Sequence, residues 1–265
     1  MPTGRDILLL HGLASNALLW APAGKLLANG GHRVIAADLR GHGQSDKPDT
    51  GYSMHEVADE VALLVKALGL ESPIVIGQSW GGNVVIEVAR RHSDVVSGIV
   101  AVDGGTIHLR EVFDSWDRCV AAMHPPHLEG TPAGKLRAAI RAMRPGWSTE
   151  AIDGTMANME VLEDGTIRPW LSHARHVEIL RGLWDHDPFA AITSNSVPTL
   201  FTPSLPTEDA GDGWSRHKLE AQRRVESLPN VRVEIFWDAD HDLHAEQPGA
   251  FADAVESAIL EGFFG

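Results

Sequence analysis

The spacing of apolar residues changes in a regular order along this chain. Residues 7–10, Ile-Leu-Leu-Leu, show no alternation, as expected of a strand covered on both faces. Residues 17–29 space their apolar positions like a helix, and Gly30-Gly31 stops it. A second strand fits 33–37, and a polar loop follows, 38–48. Ser53 with Glu56 three residues on predicts a capping box, and the helix it opens carries apolar residues at 57, 61, 64, 65 and 68. A third apolar run, 73–76, leads into a helix over 83–91, and a fourth strand fits 95–102. Strands and helices alternate strictly to this point, which predicts a parallel sheet with helices on both faces.

The alternation then stops. Between 106 and 187 the pattern shows no clear strand, only helical stretches at 109–123, 133–143, 149–161 and 170–183, separated by Pro and Gly. Sheet spacing resumes at 197–201. A helix fits 214–228, an alternating strand 231–236, and a last helix 248–260. The expected organisation is therefore an α/β core, 1–105 and 188–265, interrupted by a helical lid, 106–187. An insertion that begins beside a strand end carrying chemistry is expected to cover the site.

The strongest chemical signal is Gly77-Gln78-Ser79-Trp80-Gly81-Gly82, between the third strand and its helix. A G-x-S-x-G run at that junction makes a tight turn that exposes the serine oxygen. Ligands of such sheets bind beyond the carboxyl ends of the strands, where His11, Asp38, Ser79 and Asp103 all fall. A serine hydroxyl needs a base within hydrogen-bond reach and a carboxylate to orient that base. His241, after the last strand, is the expected base, with His244 its rival. The acid is open between Asp103 and the loop residues Glu208 and Asp209. Asp38 and His42 are expected to pin the 38–48 loop.

His11-Gly12, the run from Asp38 to Ser45, the Ser79 elbow and Asp240-His241-Asp242 together resemble the α/β-hydrolase superfamily, over nearly the whole chain outside the lid. The resemblance implies an oxyanion hole formed by the backbone N–H groups of Leu13 and Trp80, with Trp80 and His11 at the substrate. It implies a serine hydrolase cleaving a small to medium, moderately apolar ester or lactone through an acyl-enzyme. Similar proteins cleave carbon–carbon bonds of diketones or act as ligand receptors. Some members place the acid where Asp103 stands. Members commonly carry a β-hairpin before His-Gly, whereas ten residues precede His11. Trp80 resembles a tryptophan of the dehalogenases, but their mechanism needs a carboxylate nucleophile, not serine.

Composition narrows the partners. The formal charge of -14 repels nucleic acid and anionic membranes, so the locally basic run Lys135, Arg137, Arg141, Arg144, with no aromatic interleaving, is not read as a nucleic-acid site. His173 and His176 lie i, i+3, too few to imply a metal. A small-molecule substrate with no cofactor is expected. The single cysteine, Cys119, and the lack of a leader or long apolar run fit a cytoplasmic protein.

Overall fold

A computed structural model describes residues 4–207 and 213–265. Its elements run β1 (Asp6–Leu10), a 3-10 turn (Ala17–Trp20), α1 (Ala21–Asn29), β2 (Arg33–Ala37), α2 (Met54–Ala67), β3 (Ile74–Gln78), α3 (Trp80–Arg91) and β4 (Gly98–Val102). The insertion holds α4 (Leu109–Val112), α5 (Trp116–Ala122), α6 (Ala133–Met143), α7 (Thr149–Met156), β5 (Met159–Val161), β6 (Ile167–Pro169) and α8 (His173–Asp185). There follow α9 (Pro188–Thr193), β7 (Thr199–Thr202), β8 (Ser204–Leu205), α10 (Gly213–Val225), β9 (Val231–Val233), β10 (Phe236–Trp237), α11 (Leu243–Glu246) and α12 (Pro248–Leu260).

Among the described residues six strands form one parallel sheet in the order β2-β1-β3-β4-β7-β9. The unbroken apolar runs are explained by two cores. Ile7, Leu9, Ile74, Ile76, Val100 and Leu200 face α1 and α12. Leu8, Leu10, Val75, Ile99, Ala101 and Phe201 face the opposite way, toward α2, α3, α9 and α10. Successive side chains on a strand point to opposite faces, so a strand with two dry faces has no polar position to offer. The capping box is formed: the Ser53 side chain accepts from the Glu56 N–H and the Glu56 carboxylate from the Ser53 N–H. β2 is an outer strand, and among the described residues nothing pairs with its free edge.

Four expectations need correction. The insertion is not purely helical, because β5 and β6 form an antiparallel hairpin. The stretch expected to be helical to 161 ends at Met156, and 109–123 is two helices rather than one. The strand expected over 231–236 breaks after Val233. β9 pairs with β7, whereas β10 pairs with β8 outside the main sheet. Pro203 lies between β7 and β8, has no N–H to donate and interrupts the ladder.

The insertion docks on the core in two places. Ile140, Trp147, Ile152 and Met156 pack over Leu19 and Ala245. At the other end, α8 presses Gly182 so closely on Tyr52 that a Cβ there would sit 2.3 Å from the Tyr52 carbonyl oxygen. Below α8, Glu87 of α3 is 1% exposed at its side chain. Its carboxylate accepts from His55 Nδ1 at 2.6 Å and from Arg90 at 2.6 and 2.9 Å, with His186 Nε2 3.5 Å away. Burial alone would raise this carboxyl. Arg90, His186 and His55 outweigh that and hold it well below its ordinary value. A carboxyl depressed on folding contributes stability above its unfolded pKa and loses it as pH falls below about 4.5. Glu87→Ala is expected to lower the urea-unfolding free energy by about 3 kcal/mol at pH 7, because it leaves Arg90 and two imidazoles without their shared anion. The same variant should flatten the acid side of the stability–pH curve; an unchanged curve would remove Glu87 as its cause.

Candidate active site

The third strand ends in a strained turn. Ser79 has φ 54° and ψ -118°, a conformation that L-residues rarely hold and that costs on the order of 1–3 kcal/mol. Two glycines make room for it. A Cβ on Gly77 would lie 2.1 Å from the Gly81 carbonyl oxygen, and one on Gly104 would lie 2.2 Å from that of Ser79. The turn therefore depends on backbone passing directly against backbone, and its product is a half-buried hydroxyl at the start of α3. Among the described residues that hydroxyl has no hydrogen-bond partner, so it is unconstrained.

His241 is linked to the elbow through Gln78. Gln78 donates Nε2 to the His241 carbonyl at 3.2 Å, tying the histidine loop to the residue before the serine. The imidazole Nδ1 lies 2.6 Å from Asp103 Oδ2, and the ring is about half exposed, with 49% of its side-chain surface accessible. Nε2 is left without a partner among the described residues. Asp103 follows β4 with φ 40° and is buried. Its Oδ1 accepts the Ser204 N–H at 3.0 Å, and its Oδ2 accepts Lys218 Nζ at 2.6 Å as well as the imidazole. Burial alone would raise the Asp103 carboxyl. The hydrogen bond and charge of His241, then Lys218, hold it below its usual value. Burial alone would lower His241; the hydrogen bond and charge of Asp103 outweigh this and raise it.

Away from this pair, the described candidates make contacts of their own. His244 packs its ring 4.0 Å from that of Trp20, and burial lowers its pKa to about 3, so it is a neutral core histidine. Glu208 and Asp209 lie outside the described residues. Asp38 accepts the N–H groups of Ala17 and Gln44, each at 2.8 Å, and so ties the 38–48 loop to the start of the 3-10 turn. His42 accepts the Ala14 N–H at 3.2 Å, and His11 accepts the Leu39 N–H at 3.0 Å. Both rings are nearly sealed from solvent, and burial lowers their pKa, which keeps a nitrogen free to accept.

Trp80 and His11 were expected at the substrate. The structure instead buries both: the indole is fully inaccessible and stacks on His42 at 5.5 Å, and His11 is 1% exposed. Their contacts brace the turn at 11–14 from below. That turn approaches the elbow where Gly12 has no side chain, since a Cβ there would meet the Gln78 side chain at 2.3 Å and Ser79 Cβ at 3.0 Å. Among the described residues neither the Leu13 nor the Trp80 backbone N–H has a hydrogen-bond acceptor. One N–H follows Ser79 directly and the other follows Gly12, which packs on Ser79; unpaired donors can serve a developing oxyanion.

Two contacts were not legible in the sequence. Lys218 reaches Asp103 from 115 residues away, and Arg144, at the end of α6, pairs with Asp240 beside His241. Cys119 is buried, with its thiol pushed up to about 11, and is no alternative nucleophile. No group of three or more His, Cys, Asp or Glu positioned to hold a metal occurs among the described residues. No described helix is long and apolar enough to cross a membrane.

The chain is similar over most of its length to known proteins. Over 258 residues the chain is 31% identical to 2-(acetamidomethylene)succinate hydrolase of Mesorhizobium japonicum, covering 97% of this chain and 88% of that one. The crystal structure of an E-2-(acetamidomethylene)succinate hydrolase superposes with a TM-score of 0.77 at 26% identity, over 97% of this chain and 92% of that one. A fluoroacetate dehalogenase of Burkholderia sp is 36% identical over 124 residues, 45% of this chain and 40% of its own. Residues 7–141 match the alpha/beta hydrolase fold family, and with the full-length relative this shows that the chain belongs to the α/β-hydrolase superfamily.

Proposed function

We propose that this α/β hydrolase is a serine hydrolase that cleaves a small to medium, moderately apolar ester or lactone through an acyl-enzyme. The observation that carries the reading is the 2.6 Å contact between His241 Nδ1 and Asp103, with the His241 carbonyl bonded to Gln78, the residue before the strained Ser79. In this reading Asp103 fixes the tautomer in which Nδ1 carries the proton, leaving Nε2 to accept. Ser79 attacks the carbonyl carbon and gives its proton to His241. The oxyanion gathers against the Leu13 and Trp80 N–H groups, each worth roughly 3 kcal/mol of barrier. His241 then protonates the leaving alcohol and deprotonates the water that releases the acid. The insertion, anchored over Leu19 and Tyr52, serves as the lid. Halide displacement, despite the dehalogenase relative, lacks its carboxylate nucleophile at position 79.

The full-length relative favours a second reading, hydrolysis of an acylated enamine such as 2-(acetamidomethylene)succinate. The charges favour the first. Two cations beside the histidine loop, Lys218 and Arg144, are already paired with Asp103 and Asp240, and the chain carries a net charge of -14. A dianionic substrate would meet that field with both of these cations engaged. A fluorophosphonate probe should add one phosphonyl group, on the peptide bearing Ser79. A panel of p-nitrophenyl esters, lactones, a vinylogous diketone and 2-(acetamidomethylene)succinate should show turnover of the first two classes. Absence of labelling at Ser79 would overturn the mechanism, and turnover of the succinate alone would overturn the substrate class.

A further inference from the structure

We propose that Lys218 is a positioning residue of this site, an ammonium that shares Asp103 Oδ2 with His241 and fixes the carboxylate against the ring. The inference deepens the serine-hydrolase reading and rests on it. Lys218 comes from α10, whose carboxyl-terminal half packs in the core through Ala221 and Val225. Its Nζ is 2.6 Å from Asp103 Oδ2 and 3.3 Å from the Ser204 carbonyl, while the Ser204 N–H donates to Asp103 Oδ1 at 3.0 Å. Lysine, the Ser204 peptide and the carboxylate thus close a ring of three hydrogen bonds. Each Asp103 oxygen is held by a donor other than the histidine. The carboxylate cannot rotate to follow the imidazole; the imidazole must take the orientation that the carboxylate presents.

The shared oxygen has an electrostatic consequence. When Ser79 gives up its proton, His241 becomes an imidazolium beside an existing ammonium. Asp103 and Asp242 favour that cation, and Lys218 opposes it. The Arg144–Asp240 pair adds little net charge, and His244 is neutral at working pH. Lys218 therefore restrains the rise in His241 basicity that Asp103 causes, and a larger share of the imidazole stays unprotonated and able to accept. Lys218 is 29% exposed at its side chain, so water screens part of this effect, whereas the geometric clamp on a 1% exposed carboxylate is not screened.

The test compares Lys218→Met, which keeps the chain length without the charge, with Lys218→Arg, which keeps the charge. The first readout is the imidazole C–H titration of His241 by NMR in the intact protein, which needs no turnover. Lys218→Met should move the His241 midpoint up and Lys218→Arg should return it toward wild type. On a p-nitrophenyl ester the acid limb of kcat/KM should move up in parallel. At pH 7 kcat should fall on the order of 10-fold with KM little changed, a loss smaller than that for a group that itself reacts. If Lys218→Met proves too unstable to titrate, Lys218→Gln replaces it under the same criterion. A midpoint that stays in place or moves down overturns the proposal. Ester turnover with no shift would remove Lys218 and leave the hydrolase standing. A shift in a protein that turns over none of the panel would remove the hydrolase and leave the clamp.

Discussion

Asp103→Asn is expected to lower kcat by about 10⁴-fold with little change in KM. Among the described residues Asp103 receives three donors and gives none: Ser204 N–H on one oxygen, Lys218 and His241 on the other. An amide has only one oxygen. If that oxygen faces His241, the NH₂ group is driven against the Ser204 N–H. If it faces Ser204, the NH₂ group meets both the ammonium and the imidazole. In that second arrangement Nδ1 must become the acceptor, and the ring proton moves to Nε2, where it can no longer take the serine proton. Either way a buried donor is left without an acceptor, which costs about 1–3 kcal/mol of stability besides the rate. Steady-state kinetics on a p-nitrophenyl ester and a thermal melt check both parts. Glu208→Gln and Asp209→Asn should leave turnover within about 2-fold of wild type, since a group outside the reacting set has little effect on kcat. The reverse pattern would assign the acid to that loop.

The parts legible in the sequence were those governed by local periodicity or by short spacing. Residues 7–10 and 74–76 had only to lack polar positions to read as strands with two dry faces, and their side chains divide between the two cores. The Ser53–Glu56 cap is a three-residue signal and formed as spaced. The elbow was visible because its residues are contiguous: Gly77 answers the Gly81 carbonyl four residues on, although Gly81 and Gly82 answer backbone at Leu10, His11 and Gly105 that no short spacing reveals. The β5–β6 hairpin was missed although it carries a turn signal of its own. Asp164-Gly165 sits at its tip, with Gly165 at φ 80° and Asp164 Oδ1 accepting the Thr166 N–H at 2.9 Å. Three-residue strands beside a good helical pattern were too short to show an alternation of their own. Trp80 misled in another way. Its place beside the nucleophile suggested a pocket wall, but the side chain at the first position of a helix can point under the elbow as readily as over it, and here it lies beneath His42. Lys218 and Arg144 had no local signature. Their partners lie 115 and 96 residues away, and a cation on an amphipathic helix reads as a solvated face until the fold supplies its anion.

Ser79→Ala is expected to reduce kcat by on the order of 10⁶-fold and to abolish fluorophosphonate labelling, with folding unchanged. The fold should survive because alanine meets the same backbone demand as serine. The strain at φ 54° is borne by any L-residue, and the space that admits it is provided by Gly77 and Gly104, not by the hydroxyl. The hydroxyl makes no described hydrogen bond, so its removal leaves no buried partner unsatisfied. The remaining rate should still exceed that in water, since the Leu13 and Trp80 N–H groups can polarise a bound carbonyl with no nucleophile behind it. Ser79→Gly separates strain from chemistry. Glycine occupies the left-handed region without the Cβ penalty, so this variant should lose activity as fully as alanine yet melt higher, by an amount corresponding to about 1 kcal/mol. Equal melting of the two variants would mean that the elbow stores no strain. Ester turnover retained by either would mean that the oxygen at position 79 is not the one that attacks.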